Sequence, residues 1–513
     1  MSVGPSFPGR LALSMGSMTS SVHALHPGRP ALPSPAQIRT DVLAGLVVAL
    51  ALIPEAIAFS LIAGVDPRVG LYTSFIMAVS ISFLGGRPAM ISAATGAMAL
   101  VVAPLSIEYG IDHLVAATLL AGLIQIGLGL AGVARLMRFV PPSVMTGFIN
   151  ALAILIFLSQ MPYLAGFDVP VYVMVAIGLG IIFGLPRLTR VVPAPLVAIV
   201  VLTAATLLMG ISTRTVGDEG ELPDALPMPF LPDVPMTWDT LALIAPYSLT
   251  LALVGLMESL MTAKVVDDRT ETSSDHAREA RGQGFSNLLV GLFGGMAGCA
   301  MIGQTMINVS SGARTRISTF LAGLFLLILC VGLGDIVGLI PMAALVAVMI
   351  FVSIVTFDWR SIAPSTLRRM PWTETLVMVV TVVVVVATHN LALGVIVGVV
   401  VSMILFARKA ATRADVTSVL DPDGGTRVYS VSGEVFFAST GALVERFDYG
   451  ERGLTKVVVD LSGARVWDSS AVAALDRVSE HFARHGVPVE ITGLDEPGRR
   501  LHTELSGTLS GDH

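Results

Sequence analysis

Cys299-Ala300-Met301-Ile302-Gly303-Gln304-Thr305-Met306-Ile307-Asn308 lies between two apolar runs, Asn287–Ala297 and Ile317–Leu333. The stretch is apolar enough to sit at membrane depth and too short to cross, since a helical crossing takes ~20 apolar residues. Glycines press on it from before (Gly294, Gly295, Gly298), within (Gly303) and after (Gly312). The early part of the chain holds a counterpart, Pro88-Ala89-Met90-Ile91-Ser92-Ala93-Ala94-Thr95-Gly96-Ala97-Met98. Each reads as a short extended piece, a small-residue turn and a half-helix that starts inside the membrane. Paired broken segments in corresponding halves point to a transporter's central site. Amides freed at such a helix start carry partial positive charge and attract anions. The expectation is an anion site between two half-helix starts that face each other.

Composition agrees with a membrane setting. Of 513 residues, 54% are hydrophobic and 13% charged, and mean hydropathy is +0.80. A soluble domain carries about 25% charged residues. The two cysteines, Cys299 and Cys330, both fall in apolar segments and read as small buried hydrophobes, with no disulfide framework. The histidines show no metal-ligand spacing, so neither a metal nor a cofactor is expected. Residues 1–38 are rich in Pro, Ser and Gly and read as a disordered cytoplasmic tail.

Fourteen membrane segments can be drawn, at roughly 41–64, 69–85, 88–108 (broken), 113–134, 141–163, 169–186, 191–210, 240–265, 280–297, 299–313 (broken), 316–334, 338–357, 372–388 and 391–408. With the N-terminus inside, the inside loops hold Arg87, Arg135, Arg138, Arg187, Arg190, Lys264, Arg269, Arg278, Arg281, Arg314, Arg316, Arg360, Arg368 and Arg369. The outside loops hold Arg68 and Arg214 as their basic residues, beside Glu108, Asp112, Asp168, Asp218, Glu219, Glu221, Asp224, Asp233 and Asp335. This positive-inside bias leads to the expectation of a multi-pass protein of the plasma membrane with an even number of crossings and both termini cytoplasmic. The Pro-rich, acidic loop Ile211–Asp239 splits the transport domain, 39–410, into two sets of seven, about 39–210 and 239–410. The broken segment is third in each set. Equal odd-numbered sets must run in opposite orientations, which makes an inverted repeat.

After Arg413 the composition changes. Arg427–Ser439 alternates like a strand, Gly441–Asp448 suits a helix, Lys456–Leu461 a buried strand, Ser469–His485 a helix and Val487–Ile491 a strand. Strands alternating with helices give a small soluble α/β domain over 418–513. The fold class is therefore an all-α polytopic membrane domain followed by a cytoplasmic α/β domain.

These residues resemble the SulP/SLC26 anion transporter family over nearly the whole chain. Ile53-Pro54-Glu55-Ala56-Ile57-Ala58-Phe59-Ser60 is similar to the family's Pro-Gln-x-Met-Ala-Tyr-Ala signature, and Gly70-Leu71-Tyr72-Thr73-Ser74-Phe75 is specific for it. Ser92-Ala93-Ala94-Thr95-Gly96-Ala97-Met98 resembles its third segment and Gly298-Cys299-Ala300-Met301-Ile302-Gly303-Gln304 its tenth. Asp460-Leu461-Ser462-Gly463 and Asp468-Ser469-Ser470 resemble a STAS domain. The resemblance implies a core and a gate, homodimers, elevator-like alternating access and substrate bound between the third and tenth segments. A cytoplasmic partner of the STAS domain is a further implication.

Glu55 departs from the family, which usually has Gln there. A carboxylate inside an apolar span costs ~2.5–3.5 kcal/mol on insertion scales, so it should face a cavity or be protonated. Burial and a nearby anion both raise a carboxyl pKa, which couples anion binding to proton binding. The plainer reading is a hydrogen bond to a neighbouring helix; Pro54 beside it suggests a break near the site and favours function. Glu258 in the eighth segment lies where the resemblance implies a role in Na⁺ or H⁺ coupling, against a snorkelling interfacial Glu. Thr262, at i+4, shares its face. Thr95, Gly96, Ala97, Gly303, Gln304 and Thr305 lie at the half-helix starts, and Phe59 either walls the cavity or packs in the core. Met301–Asn308 has no basic residue where eukaryotic relatives often do, which favours symport over exchange. Ser469 and Ser470 correspond to a phosphorylated position in related anti-sigma antagonists, although helix capping is the favoured reading.

No nucleophile–base pair or phosphate loop points to an enzyme, and nothing points to nucleic acid. Gly127-Leu128-Gly129-Leu130-Ala131-Gly132 fits GxGxxG only by coincidence, since it lies within a span where small residues let helices pack. The leading expectation is H⁺-coupled secondary transport of a small anion, such as a dicarboxylate (fumarate), bicarbonate or sulfate. The alternatives are a Na⁺-coupled bicarbonate symporter, an exchanger or channel of the same fold, an anion sensor, and a nucleobase symporter.

Overall fold

The computed structural model describes residues 34–508, apart from 134, 136–139, 166–168, 189–192, 413 and 423. Most of the expected tail, and Arg138, Asp168 and Arg190 of the loop charges, lie outside the described residues. The first half comprises α1 (Pro35–Ile62), α2 (Pro67–Leu84), β1 (Ser92–Ala94), α3 (Gly96–Leu130), α4 (Pro142–Ser159), α5 (Met161–Leu164), α6 (Val169–Gly184) and α7 (Ala194–Met209). The short α8 (Val216–Glu219) lies in the connecting loop. The second half comprises α9 (Trp238–Thr270), α10 (His276–Leu292), β2 (Gly298–Ala300), α11 (Ile302–Ser310), α12 (Arg316–Gly332), α13 (Gly334–Gly338), α14 (Met342–Thr356), α15 (Pro364–Arg369), α16 (Trp372–Thr388) and α17 (Leu391–Ala411). Among the described residues seven helices are long and apolar enough to cross a bilayer, and four more are apolar but shorter.

Each of the fourteen expected segments contains a helix or a strand–helix pair. The third and fourth are continuous in α3, bent at Gly110, whose φ of 84° suits glycine. Pro54 does not break its segment: α1 runs through it. Proline removes one backbone bond there, and the surrounding turns are held by buried neighbours on every side (Leu52, Ile53, Ala56, Ile57). α1 begins at Pro35, where Ser34 caps it by accepting a bond from the Gln37 amide.

The helices pack in two groups. One joins α1, α2, α3, α9, α10, α11 and α12; the other joins α4, α6, α7, α14, α16 and α17. Gly70 shows how tightly the first group is built. A Cβ there would lie 2.2 Å from Ser60 Oγ and 2.4 Å from the Ala56 carbonyl, and the Gly70 amide donates to Ser60 Oγ at 2.9 Å. At one end of the group basic residues gather. Arg87 pairs with Asp267 at 2.9 Å, Arg278 donates to the Phe83 carbonyl and Arg316 to that of Gly85.

The last part of the chain forms β3 (Asp415–Leu420), β4 (Thr426–Val435), α18 (Thr440–Val444), β5 (Lys456–Val466), α19 (Ser469–Ala483), β6 (Val489–Thr492) and α20 (Glu496–Leu505). The sheet order is β3-β4-β5-β6. The β3–β4 pair is antiparallel and the other two pairs are parallel. Its core sets Val431, Val459 and Leu461 against Val472, Leu475 and Phe482 of α19. Two elements lie outside the sequence reading. The edge strand β3 has almost no buried face, and α20 opens with Pro497 and Gly498 among polar residues.

Candidate functional site

β1 and β2 form a two-stranded antiparallel ribbon, with Ser92 opposite Ala300, Ala93 opposite Cys299 and Ala94 opposite Gly298. All six residues are buried. A ribbon this short leaves edge amides and carbonyls that lipid cannot satisfy, so protein must cover them. Side chains do so. Ser259 Oγ accepts from the Ala300 amide at 3.1 Å and Ser74 Oγ from the Ala94 amide at 3.2 Å. Asn287 donates to the Gly298 carbonyl at 3.0 Å and accepts from the Gly298 amide at 2.8 Å. Gln283 donates to Ser92 Oγ at 2.7 Å. Glu279 accepts from the Gly86 amide at 2.7 Å. Glu279, Gln283 and Asn287 recur every four residues along α10, so they share one face, and each is fully buried.

A half-helix leaves each end of this ribbon. Thr95 caps α3, accepting from the Met98 amide at 3.4 Å. α11 starts after Met301 with no side-chain cap, so the first amides of the helix have no intrahelical partner. Both starts open on one cavity of ≈ 130 Å³. Glu55, Phe59, Thr95, Gly96, Glu258 and Gly303 line it, all of them expected site residues. A Cβ on Gly303 would meet nothing within 4 Å, whereas one on Gly96 would lie 3.0 Å from the Phe59 ring. Phe148, Ile156, Met261, Met301 and Val352 supply an apolar wall. No Lys, Arg or His lines this cavity among the described residues.

The other expected residues divide. Gln304 is buried and its Oε1 has no hydrogen-bond partner. Ala97 is fully buried in α3 and does not face the cavity. Thr305 also faces away. Its hydroxyl accepts from the Ile91 amide at 2.9 Å, fastening α11 to the start of the other broken segment. Thr262 donates to the Glu258 carbonyl at 2.8 Å, a bond within its own helix. Ser469 and Ser470 lie in the α/β domain at the first two positions of α19. The cap there is Asp468, which accepts from the Ala471 amide at 2.9 Å and the Phe437 amide at 2.8 Å.

Cys299 is more than the buried hydrophobe read from sequence. Its thiol donates to Glu258 Oε2 at 2.9 Å and lies 3.2 Å from Thr95 Oγ1. The two carboxylates also correspond. Glu55 is on the first helix of the first half and Glu258 on the first helix of the second. Glu55 lies across the cavity from the first turn of α11, and Glu258 reaches the cap of α3 through Cys299. Each carboxylate thus stands at one half-helix start. A second, larger recess of ≈ 470 Å³ lies beside Asp66, Arg68, Ser106, Gly110, Tyr163 and Glu219, away from the ribbon.

Comparison with known proteins shows the family. The sulfate permease family matches residues 38–179 and 169–381, and the STAS domain matches 417–508. A protein of Bacillus subtilis (strain 168) described as "Putative sulfate transporter YbaR" is 51% identical over 469 residues, 91% of this chain and 97% of that protein. "Bicarbonate transporter BicA" of a Synechocystis strain is 26% identical over 518 residues, covering 91% of this chain and 90% of that one. Murine Slc26a9, an anion transporter solved in an inward-facing state, superposes with a TM-score of 0.78 at 18% identity, over 92% of this chain and 88% of that one. The transmembrane domain of a cyanobacterial BicA gives 0.62 at 24% identity, over 72% of this chain and 98% of that domain. At these identities the two structures speak to fold alone. The chain belongs to the sulfate permease (SulP/SLC26) family of membrane anion transporters, with a C-terminal STAS domain.

Proposed function

We propose that this protein is an H⁺-coupled secondary transporter that takes up a small inorganic anion or dicarboxylate by alternating access. The observation that carries the reading is the single cavity shared by two half-helix starts and Glu55. The helix starts offer amides and positive potential to an anion. Glu55 binds a proton more tightly when an anion is near, because like charges disfavour its ionised form. Thr95 and Gly303 serve the anion, the first through its hydroxyl and the second by leaving room for close approach. The names of the relatives put sulfate and bicarbonate first among candidates, with fumarate as the dicarboxylate. The basic loop ends support an orientation with both termini in the cytoplasm of the cell. A second copy of the chain is the expected partner, and Ser469 and Ser470 are candidate regulatory positions for a cytoplasmic partner.

The test uses purified protein in proteoliposomes, radiolabelled sulfate, bicarbonate and fumarate, and imposed H⁺ or Na⁺ gradients. An inwardly directed H⁺ gradient should accelerate uptake of at least one anion several-fold, and Glu55→Gln should weaken that dependence. Acceleration by Na⁺ alone would favour the sodium symporter instead. Uracil uptake, or anion binding without net uptake, would exclude the proposal.

A further inference from the structure

We infer that each transported anion is accompanied by two protons, one on Glu55 and one on Glu258. This inference rests on the proton-coupled reading above and specifies its stoichiometry. Its basis is the crossed pairing at the ribbon. Glu55 lines the cavity beside Ile302 and Gly303 at the start of α11, and Glu258 is joined to the cap of α3 through Cys299 and Thr95. Each helix start is equivalent to roughly half a positive charge. In the empty site two ionised carboxylates face these two ends and exceed them by about one charge. An anion arriving in a ≈ 130 Å³ cavity competes for the same two ends. No basic side chain lines the cavity to balance the displaced carboxylates. Two ionised carboxylates and an anion would leave about two uncompensated charges in an apolar enclosure, and unpaired buried charge is strongly unfavourable.

The charge is relieved by one proton on each carboxylate. Glu55 and Glu258 each gain a proton from the side of entry and release it on the side of exit; no covalent bond to the anion forms. Cys299 keeps its proton throughout, so Glu258 is the acceptor and Cys299 positions it. Other ionisable groups are turned elsewhere. Glu279 of α10 accepts from the Gly86 and Arg87 amides. Among the described residues no titratable side chain from α3, α4, α11, α14 or α17 lines the cavity. A sodium ion suits the Glu258 side poorly. Thioethers of Met261 and Met301 stand nearby and the partner of the carboxylate is a thiol, whereas hard cations require several oxygen ligands.

The stoichiometry fixes the sign of the current. With two protons, a monoanion carries one net positive charge inward and a dianion carries none. With one proton, a monoanion carries none and a dianion carries one negative charge. Full-length protein in proteoliposomes, given an inside-negative potassium diffusion potential, separates these cases. Labelled bicarbonate uptake should rise several-fold, whereas sulfate or fumarate uptake should not change. Proton counting during sulfate or fumarate uptake should give a ratio near two, falling to one in Glu258→Gln and to one in Glu55→Gln. A ratio of one in the unmodified protein, or sulfate uptake slowed by the inside-negative potential, overturns the inference and leaves proton coupling standing. A requirement for Na⁺ that disappears in Glu258→Gln overturns the assignment of the second proton. Uptake indifferent to any pH gradient overturns both. The unmodified protein alone decides the ratio if either variant fails to fold.

Discussion

Single residues at the ribbon do work that their residue types conceal. Ala89 holds a φ of 60°, a left-handed conformation that disfavours side chains with a Cβ by roughly 1–2 kcal/mol. It is held there because its carbonyl accepts from Asn308 at 2.8 Å. Ala89→Gly should therefore be neutral or slightly stabilising in a detergent thermal-unfolding assay, and Ala89→Val should lower the midpoint by several degrees. Equal midpoints for the two would remove the backbone argument. Glu55 was legible in sequence because a carboxylate amid apolar residues has few explanations. Cys299 was not, because its meaning comes from Glu258, which is distant along the chain and meets it only through the packing of α9 on β2. Thr305 and Thr262 were placed on the right elements, but side-chain direction on a helix depends on a phase that the sequence does not fix at a broken start.

At the level of elements, α10 is the scaffold of the site. The buried face formed by Glu279, Gln283 and Asn287 supplies polar partners to backbone that would otherwise lie bare in lipid. Asn287→Leu is nearly isosteric and leaves both the amide and the carbonyl of Gly298 without their partner. Each unsatisfied group costs about 1–3 kcal/mol. The variant should unfold at clearly lower temperature than one altered at the exposed Phe285, and anion uptake should fall with it. Unchanged stability would mean that water or a rearranged neighbour replaces the amide. Glycine and hydropathy marked both broken segments in the sequence, since no continuous apolar helix fits there. The polar face of α10 has helical spacing too, yet nothing in one sequence says that polar residues at that spacing face inward. Pro54 misled for the opposite reason: a buried helix packed on all sides tolerates a lost backbone bond.

For the whole molecule, the two-part division follows from where apolar surface is buried. The helical part and the α/β part have separate cores, with Tyr429, Val459 and Phe482 among the residues of the second. Truncation after Ala411 should leave a membrane domain that inserts and remains monodisperse in detergent. Aggregation of the truncated protein would show that the α/β domain is needed to complete the first core. The change from apolar spans to a strand-and-helix pattern after Arg413 was readable from composition. The edge strand β3 and helix α20 were not, because exposed elements bury too little to leave a periodic pattern.

The pairing of β1 with β2 sets an order on synthesis. One strand leaves the ribosome some two hundred residues before the other, so the nascent first half must wait in the bilayer with its ribbon edge open. A chain that stalls before α10 has neither the second strand nor the polar helix that covers it. Such a fragment offers unpaired backbone to lipid. Joining the halves is thus the event that completes the pocket.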